Sequence, residues 1–137
     1  MAGLERYVEA QRADWETALA ELTSGAKRSH WMWYVFPQIA GLGHSPTARF
    51  FAISDLREAR EYLAHPLLGP RLIEATAAML GWAGRRDAET ILGGIDAMKL
   101  RSSMTLFEAA GGGDCFARAL DAFFGGVRDE RTLALLA

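Results

Sequence analysis

Residues 95–109 read IDAMKLRSSMTLFEA, a run without proline or glycine that Gly93-Gly94 precedes and Gly111-Gly112-Gly113 follows. On a wheel of about 100° per residue, Ile95, Leu100, Met104, Leu106 and Phe107 gather on one broad side, which predicts a helix from about Ile95 to Ala109 with that side turned to a core. Asp96, Lys99, Ser102 and Ser103 fall on the same side. Arg101, Thr105 and Glu108 fall opposite, where water is expected. An inward polar group without a partner costs about 1–3 kcal/mol, and a charge costs more. These four must therefore be bonded to one another, to another helix or to a ligand. Two readings stand: an Asp96–Lys99 pair at i, i+3 with serines bonded back to carbonyls, or a polar pocket.

The same periodicity recurs on both sides of this run. Leu4, Tyr7, Val8, Gln11, Trp15, Ala18, Leu19 and Leu22 form an amphipathic stripe in which Gln11 alone is polar, and Gly25 supplies the stop. Ser29 is expected to cap a short, nearly all-apolar piece from His30 to Phe36 that Pro37 ends. Ser45-Pro46 reads as an N-cap with proline in the first turn, and Asp55 with Glu58 as a capping box. Pro66 opens a stripe through Leu68, Leu72 and Met79. Asp87 caps a short turn at Ile91-Leu92, Asp114 is expected to cap a helix holding Phe116, Leu120 and Phe123, and Thr132 to Leu136 closes the chain. No segment alternates as a strand would. The expected fold is all-α: a compact bundle of about seven or eight short helices in one globular domain over residues 1–137, with Trp31, Phe36, Leu68, Leu72, Leu106 and Phe107 in one core.

Of 137 residues, 50 % are hydrophobic and 23 % charged, enough for a core without metal or disulfide. Fifteen basic residues against 17 acidic ones give a net charge of −2, which offers no global field for nucleic acid or an anionic membrane. The lone Cys115 excludes an intramolecular disulfide, and no apolar run of about 18 residues appears. A cytoplasmic protein without nucleic-acid or membrane partners is expected. The three histidines lack metal-ligand spacing. Gly41-Leu42-Gly43 falls short of a dinucleotide fingerprint, Lys99 and Ser103 reverse the order of a lysine-activated serine, and no cofactor is expected. Cys115 reads as a small packing residue that the start of its helix can push toward thiolate.

A second polar cluster, Lys27-Arg28-Ser29-His30, runs into Trp31, Trp33, Tyr34, Phe36 and Gln38. Two cations ahead of a helix start place positive charge beside unsatisfied amides, a recipe for holding carboxylate or phosphate. Indoles offer flat surfaces for a base or sugar, although aromatic residues at this spacing also make ordinary cores.

The run KRSHWMWYVFPQIAGLG (Lys27 to Gly43) resembles the signature of a family of small bacterial and fungal proteins known as domain of unknown function eighteen-ten, some members of which are mislabelled calpastatin. The resemblance continues through His65-Pro66-Leu67-Leu68-Gly69, through Lys99-Leu100 and Ser102 to Phe107, and to Phe124-Gly125-Gly126. It implies a compact helical domain and brings no established reaction.

The functional expectation is a pocket for a small anion such as a nucleotide or ADP-ribose-like molecule. In it Lys27, Arg28 and Ser29 hold phosphate, Trp31 or Trp33 stacks, and Gln38, Ser102 and Ser103 line the floor. If the ligand is hydrolysed, Asp96 or His30 is the candidate general base and Lys99 stabilises the leaving group. The alternative is a protein-interaction or scaffold module whose inner polar residues only fix helix register. A cleft where the two clusters meet favours the first reading, and mutual satisfaction in a closed core favours the second.

Overall fold

The computed structural model describes residues 3–137, so the first two residues of the expected 1–137 domain lie outside the described residues. Among the described residues there are nine helices: α1 (Glu5–Ser24), α2 (Met32–Val35), α3 (Pro46–Phe50), α4 (Leu56–Ala64), α5 (Leu68–Leu80), α6 (Ala88–Leu92), α7 (Gly94–Ala109), α8 (Asp114–Phe124) and α9 (Glu130–Leu136). The fold is all-α. Among the described residues the one β element is an isolated parallel bridge between Ile39 and Ile53, in which the Ile53 N–H donates to the Gln38 carbonyl at 2.8 Å and the Ala40 N–H to the Ile53 carbonyl at 2.8 Å.

Local chemistry explains most of the boundaries. Gly25 ends α1 in the left-handed conformation (φ 73°), and a Cβ there would lie 2.7 Å from the Trp82 ring, so the stop is also a packing site. The Ser45, Asp55 and Asp87 side chains accept from the N–H groups of Ala48, Glu58 and Thr90, as their N-cap readings predict. Ser29 departs from its reading. Trp31 precedes α2 without a side-chain cap, because the Ser29 hydroxyl is drawn to a carboxylate instead. Asp114 lies inside the first turn of α8 behind Gly113 (φ 104°) and caps nothing. At the start of α5, His65 does the capping: its Nδ1 accepts from the N–H groups of Leu67 (3.1 Å) and Leu68 (3.2 Å). Gly69 then lets α5 approach α4, since a Cβ would stand 2.1 Å from the Leu63 carbonyl oxygen.

The hydrophobic core is one cluster that contains all six residues expected in it. Gln11, the polar member of the α1 stripe, is buried with its amide donating to the Tyr34 carbonyl (2.7 Å) and the Tyr62 hydroxyl (3.1 Å). Helix α7 packs against α4, α6, α8 and α9. This surround corrects the expected split of its faces. Thr105 is buried rather than solvated, Arg101 and Glu108 are half-buried, and Ile95 at the overhanging first turn is 75 % exposed.

Candidate functional site

The two polar clusters of the sequence meet at Asp96, and there they part into an internal clasp and an open cleft. The clasp is centred on Glu21. Its carboxylate accepts from the N–H groups of Arg28 (2.8 Å) and Ser29 (3.0 Å), the Ser29 hydroxyl (2.6 Å) and the Trp31 indole (2.9 Å). Partial burial pushes the Glu21 carboxyl up, but these four donors outweigh it and bring it from 4.5 down to about 2. Beside it, Lys27 is nearly enclosed. Its Nζ donates to the Ser29 carbonyl (2.6 Å), lies 2.9 Å from Asp96 Oδ2 and sits 5.0 Å from the Trp31 ring centroid. Lys27, Ser29 and Trp31 thus satisfy one another and Glu21. Arg28 and His30 are exposed.

On the other side of Asp96 lies a cleft of about 510 Å³, within the usual range for small-molecule sites. Of the residues expected to bind or react, Trp33, Gln38, Lys99 and Ser102 line it; Lys27, Arg28, Ser29, His30, Trp31, Asp96 and Ser103 do not. Five further polar residues line it: His44, Ser45, Arg101, Asp129 and Arg131. Leu42, Ala48, Ile95 and Met98 form its apolar part. The backbone bridge at Ile53 fixes Gln38, whose side-chain amide has no hydrogen-bond partner among the described residues. The Lys99 ammonium lies 3.7 Å from Asp96 Oδ1 and 4.9 Å from the Trp33 ring centroid, a cation–π distance.

Asp129 is held firmly as the cap of α9. Its Oδ2 accepts from the Thr132 N–H (3.1 Å) and hydroxyl (2.5 Å), and the Ser102 hydroxyl lies 3.0 Å away; its own N–H donates to Thr105 Oγ1 (2.9 Å). The Ser102 hydroxyl also has the Met98 carbonyl within 3.2 Å. Ser103 is fully buried, and its hydroxyl has no partner among the described residues.

Arg101 and Arg131 were legible only in part. Arg101 stands in the run 95–109 but on the face expected to be solvated; Arg131 lies in a helix whose docking no local signal announces. Cys115 takes no thiolate character: burial first, then the neighbouring Asp114, push its thiol up. Among the described residues, no three His, Cys, Asp or Glu side chains come together as a metal site requires. Nor is any helix of the described residues long and apolar enough to cross a membrane.

The model of a family described as "Protein of unknown function (DUF1810)" matches residues 1–136. The chain belongs to this family. This DUF1810 chain is similar to the conserved hypothetical protein Rv1873 from Mycobacterium tuberculosis, known from a crystal structure: 48 % of residues are identical, the TM-score is 0.94, and the match covers 97 % of this chain and 95 % of that one. A comparison with curated proteins found no match.

Proposed function

We propose that the cleft binds a small anionic ligand of the nucleotide or ADP-ribose class. The observation that carries this reading is the convergence of three cations, Lys99, Arg101 and Arg131, on one cavity that also presents the Trp33 ring and the unpartnered Gln38 amide. Cations and an aromatic surface in a concave site suit a phosphate joined to a flat apolar group. Binding is the whole of the proposal. His30 and Asp96, the candidate bases, lie outside the cleft, and Asp96 is shared between Lys27 and Lys99. A protein-interaction surface is the second reading, supported by the exposure of Ile95 and Met98 beside the cleft.

Thermal melting with AMP and ADP-ribose tests the proposal. A hundredfold excess over Kd stabilises the wild type by about 2.7 kcal/mol. Lys99→Met abolishes that shift yet melts within a few degrees of wild type without ligand, because Lys27 still holds Asp96 at 2.9 Å. Lys27→Met serves as the contrast: its side chain is only 7 % exposed, and its loss leaves Asp96 with the longer Lys99 contact at 3.7 Å and the Ser29 carbonyl without its donor, so this variant melts well below wild type. A wild type that neither nucleotide shifts refutes the proposal and leaves the protein-interaction reading.

A further inference from the structure

Partly buried lysines and arginines among the described residues have a carboxylate or amide partner, with one exception. Arg6 meets Glu58 at 3.2 Å, Lys27 meets Asp96 at 2.9 Å, Arg128 meets Glu108 at 2.6 Å and Arg71 reaches Gln11 Oε1 at 3.4 Å. Lys99 shares Asp96. Arg101 is half-buried, yet its side chain has no hydrogen bond or ion pair among the described residues, and its Nε is fully shielded from water with no partner. A guanidinium in that position bears an uncompensated desolvation cost, which a bound anion would remove.

The surroundings of Arg101 say which side that anion takes. Arg101 and Met98 form the ridge between the cleft and a second cavity of about 360 Å³. The second cavity carries the carboxylates of Asp87 and Glu89, which repel an anion, whereas the cleft carries Lys99 and Arg131. The cleft side also has an excess of charge. Of the charged residues that line the cleft, Lys99, Arg101 and Arg131 stand against the one carboxylate of Asp129, an excess of two positive charges on a chain whose net charge is −2.

Resting on the anion-binding reading, we infer that Arg101 is the anchor of the site and that its ligand class is a dianionic phosphate ester. A planar guanidinium takes two phosphate oxygens in parallel, and two uncompensated charges match a terminal phosphate ionised twice. A phosphodiester carries one charge and leaves one of the two unanswered. Trp33 and the apolar residues of the cleft then receive the organic part of the ester.

The test is calorimetric titration at about pH 8 with three probes that share one base: AMP (dianion), cyclic 3′,5′-AMP (monoanion) and adenosine (neutral). At this pH the AMP phosphate is fully ionised. The expected order is AMP over cyclic AMP over adenosine, with AMP about 10- to 100-fold tighter than the cyclic monoanion. Arg101→Gln removes that preference, so that AMP and cyclic AMP bind within a few-fold of each other. Arg131→Gln, a change on the exposed surface of α9 that leaves the core untouched, lowers the preference as well, which guards against a misfolded Arg101 variant. Arg28→Gln, outside the cleft, changes nothing. Equal binding of AMP and cyclic AMP to the wild type, or a preference that survives Arg101→Gln, overturns the assignment to Arg101 while the anion-binding reading stands. Binding of none of the three probes overturns both.

Discussion

At residue scale, Glu21 has the largest unforeseen role. Nothing in the α1 stripe marks it, since it lies among ordinary polar positions, and its donors stand seven to ten residues further along, across the turn at Gly25. The local rule that made Ser29 an N-cap was overridden for a physical reason: α2 begins only after Trp31, and the Ser29 hydroxyl instead donates to the ionised Glu21 carboxylate, a charge-assisted bond stronger than the neutral one a cap makes. Because the folded carboxyl is held at about 2, below its usual 4.5, its stabilisation is fully present above pH 4.5 and is lost as pH falls toward 2. Glu21→Gln should cost about 2–3 kcal/mol at neutral pH through weakened charged hydrogen bonds. In urea denaturation, the gap between wild type and this variant should narrow as the pH is lowered from about 5 to about 2.5. A gap that stays constant over that range would show that the charge on Glu21 contributes nothing.

Elements were legible where one segment held all the information. The stripes of α1, α5 and α7 and the caps at Ser45, Asp55 and Asp87 are local in sequence, and the structure agrees with each. What a single segment cannot reveal is a second covering layer. The wheel assigned α7 one buried face, but α9 and the loop before it cover the opposite side, where Thr105 Oγ1 accepts from the Asp129 N–H and Arg128 pairs with Glu108. Of the apolar inner face, Leu100, Met104, Leu106 and Phe107 are buried as read, and Ile95 is not. Phe107 is fully buried, with ring centroids of Tyr62 at 5.4 Å and Phe116 at 5.8 Å. Phe107→Ala should therefore destabilise the fold by about 3–5 kcal/mol, through lost transfer energy and the cavity left behind. A loss under about 1 kcal/mol in chemical denaturation would mean that α7 does not anchor the core.

Across the whole molecule, two polar clusters that look equivalent in sequence are separated by what surrounds them. The first, Lys27 to Trp31, closes on Glu21 and Asp96 and holds the turn between α1 and α2. The second, around Lys99 and Ser102, opens into a cleft completed by Arg101 and by Asp129 and Arg131 from the far end of the chain. No spacing rule could join residues 33–48 to residues 129–131, because that neighbourhood exists only after α7 and α9 have packed. Of the residues expected to form a site, Trp33, Gln38, Lys99 and Ser102 therefore line the cleft, beside arginines that the sequence did not assign to it. The two tryptophans make the division measurable. The chain has four tryptophans and so four indole N–H signals in a nitrogen–proton correlation spectrum, with the Trp31 and Trp33 signals assignable by Trp→Phe replacement. Titration with AMP should shift the Trp33 indole and the Gln38 side-chain amide while the Trp31 indole, held by Glu21 at 2.9 Å, stays in place. Shifts confined to Trp31 and its neighbours, or no shift at millimolar AMP, would contradict the account.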